Sequence, residues 1–429
     1  MANNLDFSVY KARRAELIKK VKDAHQEDAY GAILLCADFE GHDRFVQEST
    51  FFYFTGLEEP GAVCLLDLDG SQQLYIPNCV KEREKWIQSP VKMEQNNASL
   101  IGFDTILELG APCKGYQIYP FSPEETYQAL LDRLQAVVAQ GGTIFSTSPS
   151  KPHGYLHQRL LLSRLTHWLP GLADHLVDCS DTIAQMRQSK EKPEIERIFK
   201  AIHITADAQE AAAQAIGDGV CEAEVQASLE YVMMAHNAPV AFPSIVGSGP
   251  NSTVLHYGQN NRIMQNGDLV IVDIGASYDH YVADITRTYP VSGEFSERQK
   301  EVYEIVLETQ AYIASIAQPG YYLRNADHQD KSLHHLALAF LKERGYDQYM
   351  PHGIGHYLGL DVHDVGDYSV PLAPGDVFTI EPGIYIPDEQ LGIRIEDDYW
   401  MTEKGALCLS EDLPKSVKEV EAMVQKKFE

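Results

Sequence analysis

The chain has 429 residues, of which 44% are hydrophobic and 23% charged, a composition typical of a soluble globular protein with two or three domains. Its 62 acidic side chains outnumber 35 Lys and Arg, and the formal net charge is −27. A field of that sign repels nucleic acid and anionic lipid, so we expect neither nucleic acid nor a membrane as a partner. No apolar window is long enough to predict a transmembrane helix, and the first 20 residues lack the apolar core of a signal peptide.

The cysteines indicate the compartment. There are seven, an odd number, and they form no CxxC pair. Several lie inside apolar runs, which favours buried structural thiols in a reducing cytosol over a disulfide framework. A thiol nucleophile is an alternative that nothing in the neighbouring sequence supports. We therefore expect a cytoplasmic protein.

The first ~180 residues alternate between helical and strand patterns, which is typical of a layered α/β domain. They contain no cluster of potential ligands, so we interpret this part as a scaffold beside a site built elsewhere. Helices are predicted over 9–24, 125–140 and 157–169, and strands over 31–36, 51–56, 62–68, 72–77 and 143–147.

The second half of the chain repeats one order of elements. A polar stretch over 176–192 predicts a boundary, with an N-terminal domain over 1–180 and a second domain over 181–429. In that second domain, two helical segments precede an acidic strand pattern, and the same succession follows again. The repetition predicts an α+β domain with an internal duplication. Its helices are predicted over 193–216, 222–236, 296–317 and 334–345.

Each copy of the acidic strand pattern carries two carboxylates. The copies read NGDLVIVDIGASY (266–278) and PGDVFTIEPGIY (374–385), and a strand ending in an acid is predicted in both. Four clustered carboxylates would repel one another unless cations neutralised them, so we expect a pair of divalent metals. The four acids are Asp273, Asp284, Glu381 and Glu396.

The first two acids lie on adjacent short runs, VIVDI and VADIT, which predict a β-hairpin. The two carboxylates could then face each other. For a lone Asp in a strand, a hydrogen bond in a turn or cap is the ordinary interpretation. The doubled pattern favours a metal role for Asp273 and Asp284 instead.

Three histidines lie in the segment MPHGIGHYLGLDVHDVGDY (350–368), namely His352, His356 and His363. Its glycines argue against a regular helix and indicate a backbone folded closely around a ligand. A lone histidine is more often a core residue with its hydrogen bonds satisfied, but three between two acid pairs favour a site. One histidine with four carboxylates suits Mn²⁺, Co²⁺, Fe²⁺ or Zn²⁺.

Together these segments resemble the proline-specific metallopeptidases of the pita-bread fold, with aminopeptidase P first and prolidase beside it. The resemblance is strong over residues ~190–415 and weaker over FFYFTGLEEPGAVCLLD in the N-terminal domain. Five motifs in the family's order carry it: FPSIVGSGPNSTVLHYGQN, VIVDIGASYDHYVADITRTYPV, HGIGHYLGLDVHDVG, TIEPGIYIP and GIRIEDD.

The resemblance implies a role for each matching residue. Asp273 and Asp284 would hold one metal, and Asp284, His356, Glu381 and Glu396 the other, with Asp284 and Glu396 bridging. The remaining site residues would be the substrate and transition-state histidines His256, His352 and His363, the bracing residue Arg394 and the nearby Tyr385.

It also implies the reaction and the cofactors. A hydroxide shared by two divalent metals would attack the Xaa-Pro bond of peptides with proline at position two. Mn²⁺ is the first candidate for these metals, and Co²⁺, Zn²⁺ or Fe²⁺ are alternatives. Glu381 would transfer the proton to the leaving nitrogen, and His363 with His256 would donate to the oxyanion. A homodimer or homotetramer is implied as well.

One departure concerns specificity. Residues 367–375, DYSVPLAPG, contain no arginine that could bind the terminal carboxylate of a dipeptide, which favours longer Xaa-Pro peptides over prolidase substrates. The same lack of an arginine departs from aminopeptidase P, so the leaving-group side stays open. A methionine aminopeptidase would not need the N-terminal domain, and a metal-free creatinase-like enzyme or a silent peptide-binding module would not need five ligands.

Overall fold

The computed structural model describes residues 6–26, 30–41, 44–87, 91, 97–115, 117–148 and 155–426. The chain divides into two compact units between Met186 and Arg187. In the described part of the chain, no helix combines the length and the apolar character needed to cross a membrane. The seven cysteines are free, and four of them are buried. The other three, Cys79, Cys221 and Cys408, are partly exposed, so the prediction of buried thiols was wrong for those positions.

The N-terminal unit is built on a six-stranded mixed sheet in the order β4-β3-β2-β1-β5-β6. Its central strand β1 reads GAILLC and is buried along its whole length, between antiparallel β2 and parallel β5. The strands are β1 (Gly31–Cys36), β2 (Val63–Asp67), β3 (Gln72–Ile76), β4 (Thr105–Glu108), β5 (Thr143–Ser146) and β6 (Leu176–Asp178). The helices are α1 (Phe7–Ala24), α2 (Ser49–Thr55), α3 (Asn97–Leu100), α4 (Gln128–Ala139), α5 (Leu156–Trp168) and α6 (Ser180–Gln188), the last extending across the division.

The strand predicted over 51–56 is wrong, because these residues belong to helix α2. The Glu48 carboxylate caps the helix by accepting hydrogen bonds from the backbone N–H groups of Thr50 (2.8 Å) and Phe51 (2.7 Å). Gly56 ends it in the left-handed conformation, with φ of +66°. A short helix buried on all sides has the same unbroken apolar run as a buried strand, so periodicity could not separate the two.

The C-terminal unit contains the predicted duplication. Two three-stranded antiparallel sheets, β11-β8-β7 and β12-β15-β16, each follow a pair of helices in the chain. A layered α/β unit followed by an α+β unit with an internal duplication is therefore confirmed. The helices are α7 (Lys192–Ala215), α8 (Glu222–Ala235), α9 (Glu297–Ile316), α10 (Leu333–Glu343) and α11 (Val417–Gln425). The strands are β7 (Ile245–Ser248), β8 (Leu269–Ile274), β9 (Ser277–Tyr278), β10 (Tyr281–Val282), β11 (Ile285–Pro290), β12 (Val377–Ile380), β13 (Gly383–Ile386), β14 (Leu391–Arg394), β15 (Asp397–Thr402) and β16 (Gly405–Cys408).

The predicted hairpin of the first copy forms, with one addition. Strands β8 and β11 pair antiparallel and place Asp273 opposite Thr286, while β9 and β10 form a small second hairpin between them. Asp284 lies directly before β11. The segment 350–368 contains no helix, as its glycines predicted, and Tyr357 joins it to the second sheet through an isolated bridge with Phe378.

Candidate metal centre

All four predicted carboxylates lie at strand ends in the C-terminal unit. Asp273 is the penultimate residue of β8, and Asp284 directly precedes β11. Glu381 directly follows β12, and Glu396 lies between β14 and β15. Because strand ends leave the hydrogen-bonded ladder, their side chains can converge on one site while the sheets themselves stay rigid.

His356 joins the acidic cluster through its Nε2 atom. That nitrogen lies 3.4 Å from Oδ2 of Asp284, 3.7 Å from Oε1 of Glu381 and 3.9 Å from Oε1 of Glu396. The other ring nitrogen, Nδ1, lies 3.0 Å from the carbonyl oxygen of Tyr357. A carbonyl only accepts, so Nδ1 carries the proton and Nε2 presents its lone pair to the site.

The donor set fits a divalent cation. Ligand atoms from Asp284, His356 and Glu396 all lie within 4.8 Å of one another. Three buried oxygens, Oδ1 of Asp273, Oδ1 of Asp284 and Oε1 of Glu396, accept no hydrogen bond from any described residue. Buried carboxylate oxygens are rarely left without a partner, so the arrangement requires positive charge at this point.

The electrostatics of the protein alone lead to the same requirement. Burial, reinforced by the negative charge of Asp273, raises the pKa of Asp284 well above its usual range. Burial and the charge of Asp284 do the same to the pKa of Glu396. The cluster therefore resists full ionisation unless a cation binds, as expected of an acidic metal site.

Arg394 is the cation that the protein itself places against this cluster. One guanidinium nitrogen, Nη2, donates to Oδ2 of Asp273 at 2.6 Å, and Nη1 donates to the hydroxyl of Tyr385 at 2.7 Å. Burial raises the pKa of Tyr385 to about 12, so its hydroxyl stays protonated. Arg394 thus fixes one carboxylate and one phenol in place, and its bracing role stays a prediction.

The three predicted substrate histidines lie in different surroundings. His352 has Nδ1 at 3.8 Å from Oε2 of Glu381 and Nε2 at 3.0 Å from the Tyr385 hydroxyl. The ring of His363 lies 4.4 Å from that of His356 and is exposed. His256 is exposed too. Burial lowers the pKa of His352, and partial desolvation of the ring beside His356 lowers that of His363, so both rings are neutral near pH 7.

His363 is exposed, but a buried ion cluster follows it directly in the chain. Asp364, the next residue, accepts from Nζ of Lys190 at 2.9 Å and from Nη2 of Arg187 at 2.7 Å. A Cβ atom on Gly359 would lie 2.2 Å from the Asp364 carboxylate, so only glycine fits beneath this ion cluster. Sequence reasoning missed the cluster, because its two basic residues lie more than 170 residues before Asp364 in the chain.

The loop that contains His256 is also held by a buried carboxylate. Glu222 at the start of α8 is fully buried and accepts from the Tyr257 hydroxyl at 2.8 Å and from the Arg262 backbone N–H at 2.9 Å. Its other oxygen accepts from the Ser248 N–H at 2.7 Å. The sequence shows Glu222 only as an ordinary acid in the first turn of a helix, so no signal identified it.

Asp398, a further buried carboxylate beside the predicted ligands, also escaped prediction. Its Oδ2 accepts from the backbone N–H of Asp284 at 3.2 Å, and its side chain is fully buried. The run IEDD, directly after the predicted ligand Glu396, was the available signal. The sequence could not show which of its acids faces the cluster, whereas the structure directs Asp397 to Arg287 at 2.7 Å.

Comparison with known proteins identifies the family. The model of metallopeptidase family M24 matches residues 196–403, and that of the aminopeptidase P N-terminal domain matches residues 10–110. The Xaa-Pro aminopeptidase of Escherichia coli is 30% identical over 442 residues, covering 97% of each chain. The Xaa-Pro dipeptidase of Pyrococcus horikoshii is 41% identical over 400 residues, covering 92% of this chain and 97% of its own.

Solved structures agree. Aminopeptidase P from E. coli with the inhibitor Pro-Leu superposes with a TM-score of 0.79 at 26% identity, covering 98% of both chains. Full-length coverage includes the N-terminal unit, which a methionine aminopeptidase would not need. An acidic centre built from two related halves, and relatives that match from end to end, place this chain in metallopeptidase family M24, among the proline-specific peptidases that carry an aminopeptidase P N-terminal domain.

Proposed function

We propose that this chain removes the N-terminal residue from peptides with proline at position two, using two divalent metal ions. The observation that carries the proposal is the convergence of four carboxylates and the His356 Nε2 atom, with three buried carboxylate oxygens lacking a hydrogen-bond partner among the described residues. The name and coverage of the E. coli relative support the Xaa-Pro specificity.

Each of the two ions has its own set of proposed ligands. Asp273 and Asp284 would hold one ion, and His356 and Glu381 the other, with Asp284 and Glu396 shared. Bound divalent ions supply Lewis acidity and make water nucleophilic at neutral pH. We propose Mn²⁺ as the native ion, because the donors are mostly carboxylate oxygens with a single imidazole.

Proton transfer and charge stabilisation fall to groups beside the cluster. Glu381 lies at its partly exposed edge, where its carboxylate takes a proton from the attacking water and delivers it to the proline nitrogen. Neutral His363, together with His256, donates N–H hydrogen bonds to the oxygen of the scissile carbonyl as negative charge develops there. Arg394 keeps Asp273 and Tyr385 fixed while this happens.

A prolidase is the second candidate, and the 41% identity to the P. horikoshii Xaa-Pro dipeptidase favours it. Against it, residues 367–375 contain no arginine for a dipeptide's terminal carboxylate. The terminal carboxylate of a bound dipeptide would lie beside the acidic centre and would need a cation to bind it. The terminal carboxylate of a longer peptide would lie farther away and would not need one. We therefore propose the longer peptides as the main substrates.

The deciding experiment uses three peptides of one series, Ala-Pro, Ala-Pro-Leu and Ala-Ala-Leu, with Mn²⁺-loaded protein. Release of alanine mainly from Ala-Pro-Leu supports the aminopeptidase, and release mainly from Ala-Pro supports the prolidase. Cleavage of Ala-Ala-Leu at the same rate would refute proline specificity. Full metal occupancy without any hydrolysis would instead support a peptide-binding module.

Two further properties are proposals. We propose a homodimer or homotetramer, as the resemblance to the family implies, and light scattering after gel filtration gives the mass that tests it. We also propose a cytoplasmic location, which is supported by seven free cysteines, four of them buried. Fractionation of the source cells tests it.

A further inference from the structure

Two buried glutamines, Gln209 and Gln310, occupy corresponding places in the two halves of the C-terminal unit. Gln209 lies on α7 and is fully buried, and Gln310 lies on α9 with 1% of its surface exposed. Each helix is the first of the pair that precedes an acidic strand pattern. Neither residue stands out in the sequence, since both lie on helices rich in other polar side chains.

Each side-chain amide donates to two backbone carbonyls from neighbouring strand segments. Gln209 Nε2 donates to the carbonyl oxygens of Val272 at 3.1 Å and Ile285 at 2.8 Å. Gln310 Nε2 donates to those of Ile380 at 3.1 Å and Ile395 at 3.3 Å. The two amides therefore make the same pair of bonds in the two halves.

The four carbonyls have one property in common. Each belongs to a residue that is covalently joined to a predicted metal ligand: Val272 to Asp273, Ile285 to Asp284, Ile380 to Glu381 and Ile395 to Glu396. Each glutamine thus ties together the backbone of the two acids contributed by its own half. Together the two amides reach all four carboxylate positions.

The remaining oxygen of each amide is held as well. Gln209 Oε1 accepts from the Tyr289 hydroxyl at 3.0 Å, and Gln310 Oε1 accepts from Lys415 Nζ at 3.1 Å. With both N–H groups and the oxygen bonded, neither side chain can rotate without losing buried hydrogen bonds. Carboxylates that repel one another need such a fixed backbone if their spacing is to persist before a cation binds.

We propose that Gln209 and Gln310 are duplicated positioning residues, which set the spacing of the carboxylate pairs and thereby the affinity of the centre for divalent metal. The proposal rests on the metal centre of the proposed function. Neither glutamine contacts the substrate or an ion in this scheme. Each acts through the strand ends that carry the ligands.

The test compares three single variants, Gln209→Met, Gln310→Met and the control Gln158→Met. Gln158 is also buried, accepts from the Cys36 N–H at 2.9 Å and donates to the Thr147 carbonyl at 3.0 Å, but it lies in the N-terminal unit. Mn²⁺ affinity is measured by calorimetry on metal-free protein, and stability by urea unfolding of the same preparations.

We expect roughly a 10- to 100-fold loss of Mn²⁺ affinity in each of the two C-terminal variants, the range found for residues that orient metal ligands. The control should keep wild-type affinity even though it loses comparable stability. Wild-type affinity in both Gln209→Met and Gln310→Met, with stability lowered as in the control, would overturn the proposal and leave a structural role.

Failure to fold does not leave the question open. If the methionine variants are insoluble, Gln209→Glu and Gln310→Glu keep the shape but exchange the donor for an acceptor, and a loss of affinity is again expected. Wild-type protein that binds no Mn²⁺ would refute the proposed function itself. Wild-type protein that binds Mn²⁺ as tightly as its glutamine variants would refute only the positioning role.

Discussion

Replacing Arg394 with methionine removes the protein's own positive charge from the carboxylate cluster. Arg394 is 4% exposed, and its guanidinium donates to Asp273 at 2.6 Å, to the Tyr385 hydroxyl at 2.7 Å and to the Thr286 hydroxyl at 3.2 Å. Methionine fills a similar length of side chain without donating, so the Asp273 carboxylate keeps its burial and loses its counter-charge.

The expected cost follows from that burial. Removing one partner of a buried ion pair typically lowers the free energy of unfolding by about 3–5 kcal/mol, because the remaining charge is left without compensation. In the metal-saturated protein the loss should be smaller, since cations then neutralise Asp273. By linkage, saturating metal reduces the loss only as far as the variant binds the ions more tightly than wild type, and tenfold tighter binding would recover about 1.4 kcal/mol.

The assay is urea unfolding of metal-free and Mn²⁺-saturated protein. The matched control is Arg298→Met, which breaks exposed pairs with Glu389 at 2.8 Å and Glu301 at 2.9 Å and a hydrogen bond to the Tyr346 hydroxyl, and should cost about 1 kcal/mol in both states. The reasoning fails if metal-free Arg394→Met is no less stable than this control. It fails as well if added Mn²⁺ does not reduce the loss.

Three more outcomes are expected. Glu381→Gln should lower kcat by roughly 10²- to 10⁴-fold, because the amide cannot carry the proton; steady-state rates at a metal content equal to wild type measure this, and a loss of under tenfold contradicts it. Lys190→Met should lower the unfolding free energy by about 3 kcal/mol, because buried Asp364 loses one counter-charge. As the neighbouring His363 shifts, kcat should fall more than KM rises, and a variant with full kcat would show that the Lys190–Asp364 pair does not position His363. Burial lowers the pKa of His334 from 6.5 to about 4, so the folded protein binds fewer protons than the unfolded chain between those values and loses stability as pH falls through that window. His334→Gln should reduce this pH dependence by roughly 2 kcal/mol after allowance for partial exposure, as measured by urea unfolding at pH 7 and 4.5, and unchanged dependence would refute it.

Sequence reasoning predicted the parts of the fold that depend on local patterns. The strand GAILLC and the long helix from residue 193 onward were predicted within a residue or two, because unbroken apolar runs and helical periodicity are local signals. The doubled Gly-Asp strand pattern identified two halves, which form the two three-stranded sheets. Helix α2 was missed because its residues are buried on all sides, so its pattern carries no period.

The acids and histidines of the predicted site were also available from sequence, since chemistry restricts which side chains can bind metal and their motifs keep a fixed order. The residues that hold these site residues in place could not be identified from the sequence. Gln209 and Gln310, the Lys190–Asp364 ion pair and Glu222 act through hydrogen bonds to residues far away in the chain. A glutamine or a glutamate on a helix looks the same whether it faces water or bonds a strand end in the core.

The predicted ligand types, their order, the two-half architecture and the family could all be derived from the sequence. How the four carboxylates converge with His356, which of their oxygens lack a partner among the described residues, and how the protein holds like charges together follow only from the folded chain. This is because ligand identity is a property of single residues. Spacing between repelling groups depends on buried hydrogen bonds and ion pairs, which exist only once distant segments have packed.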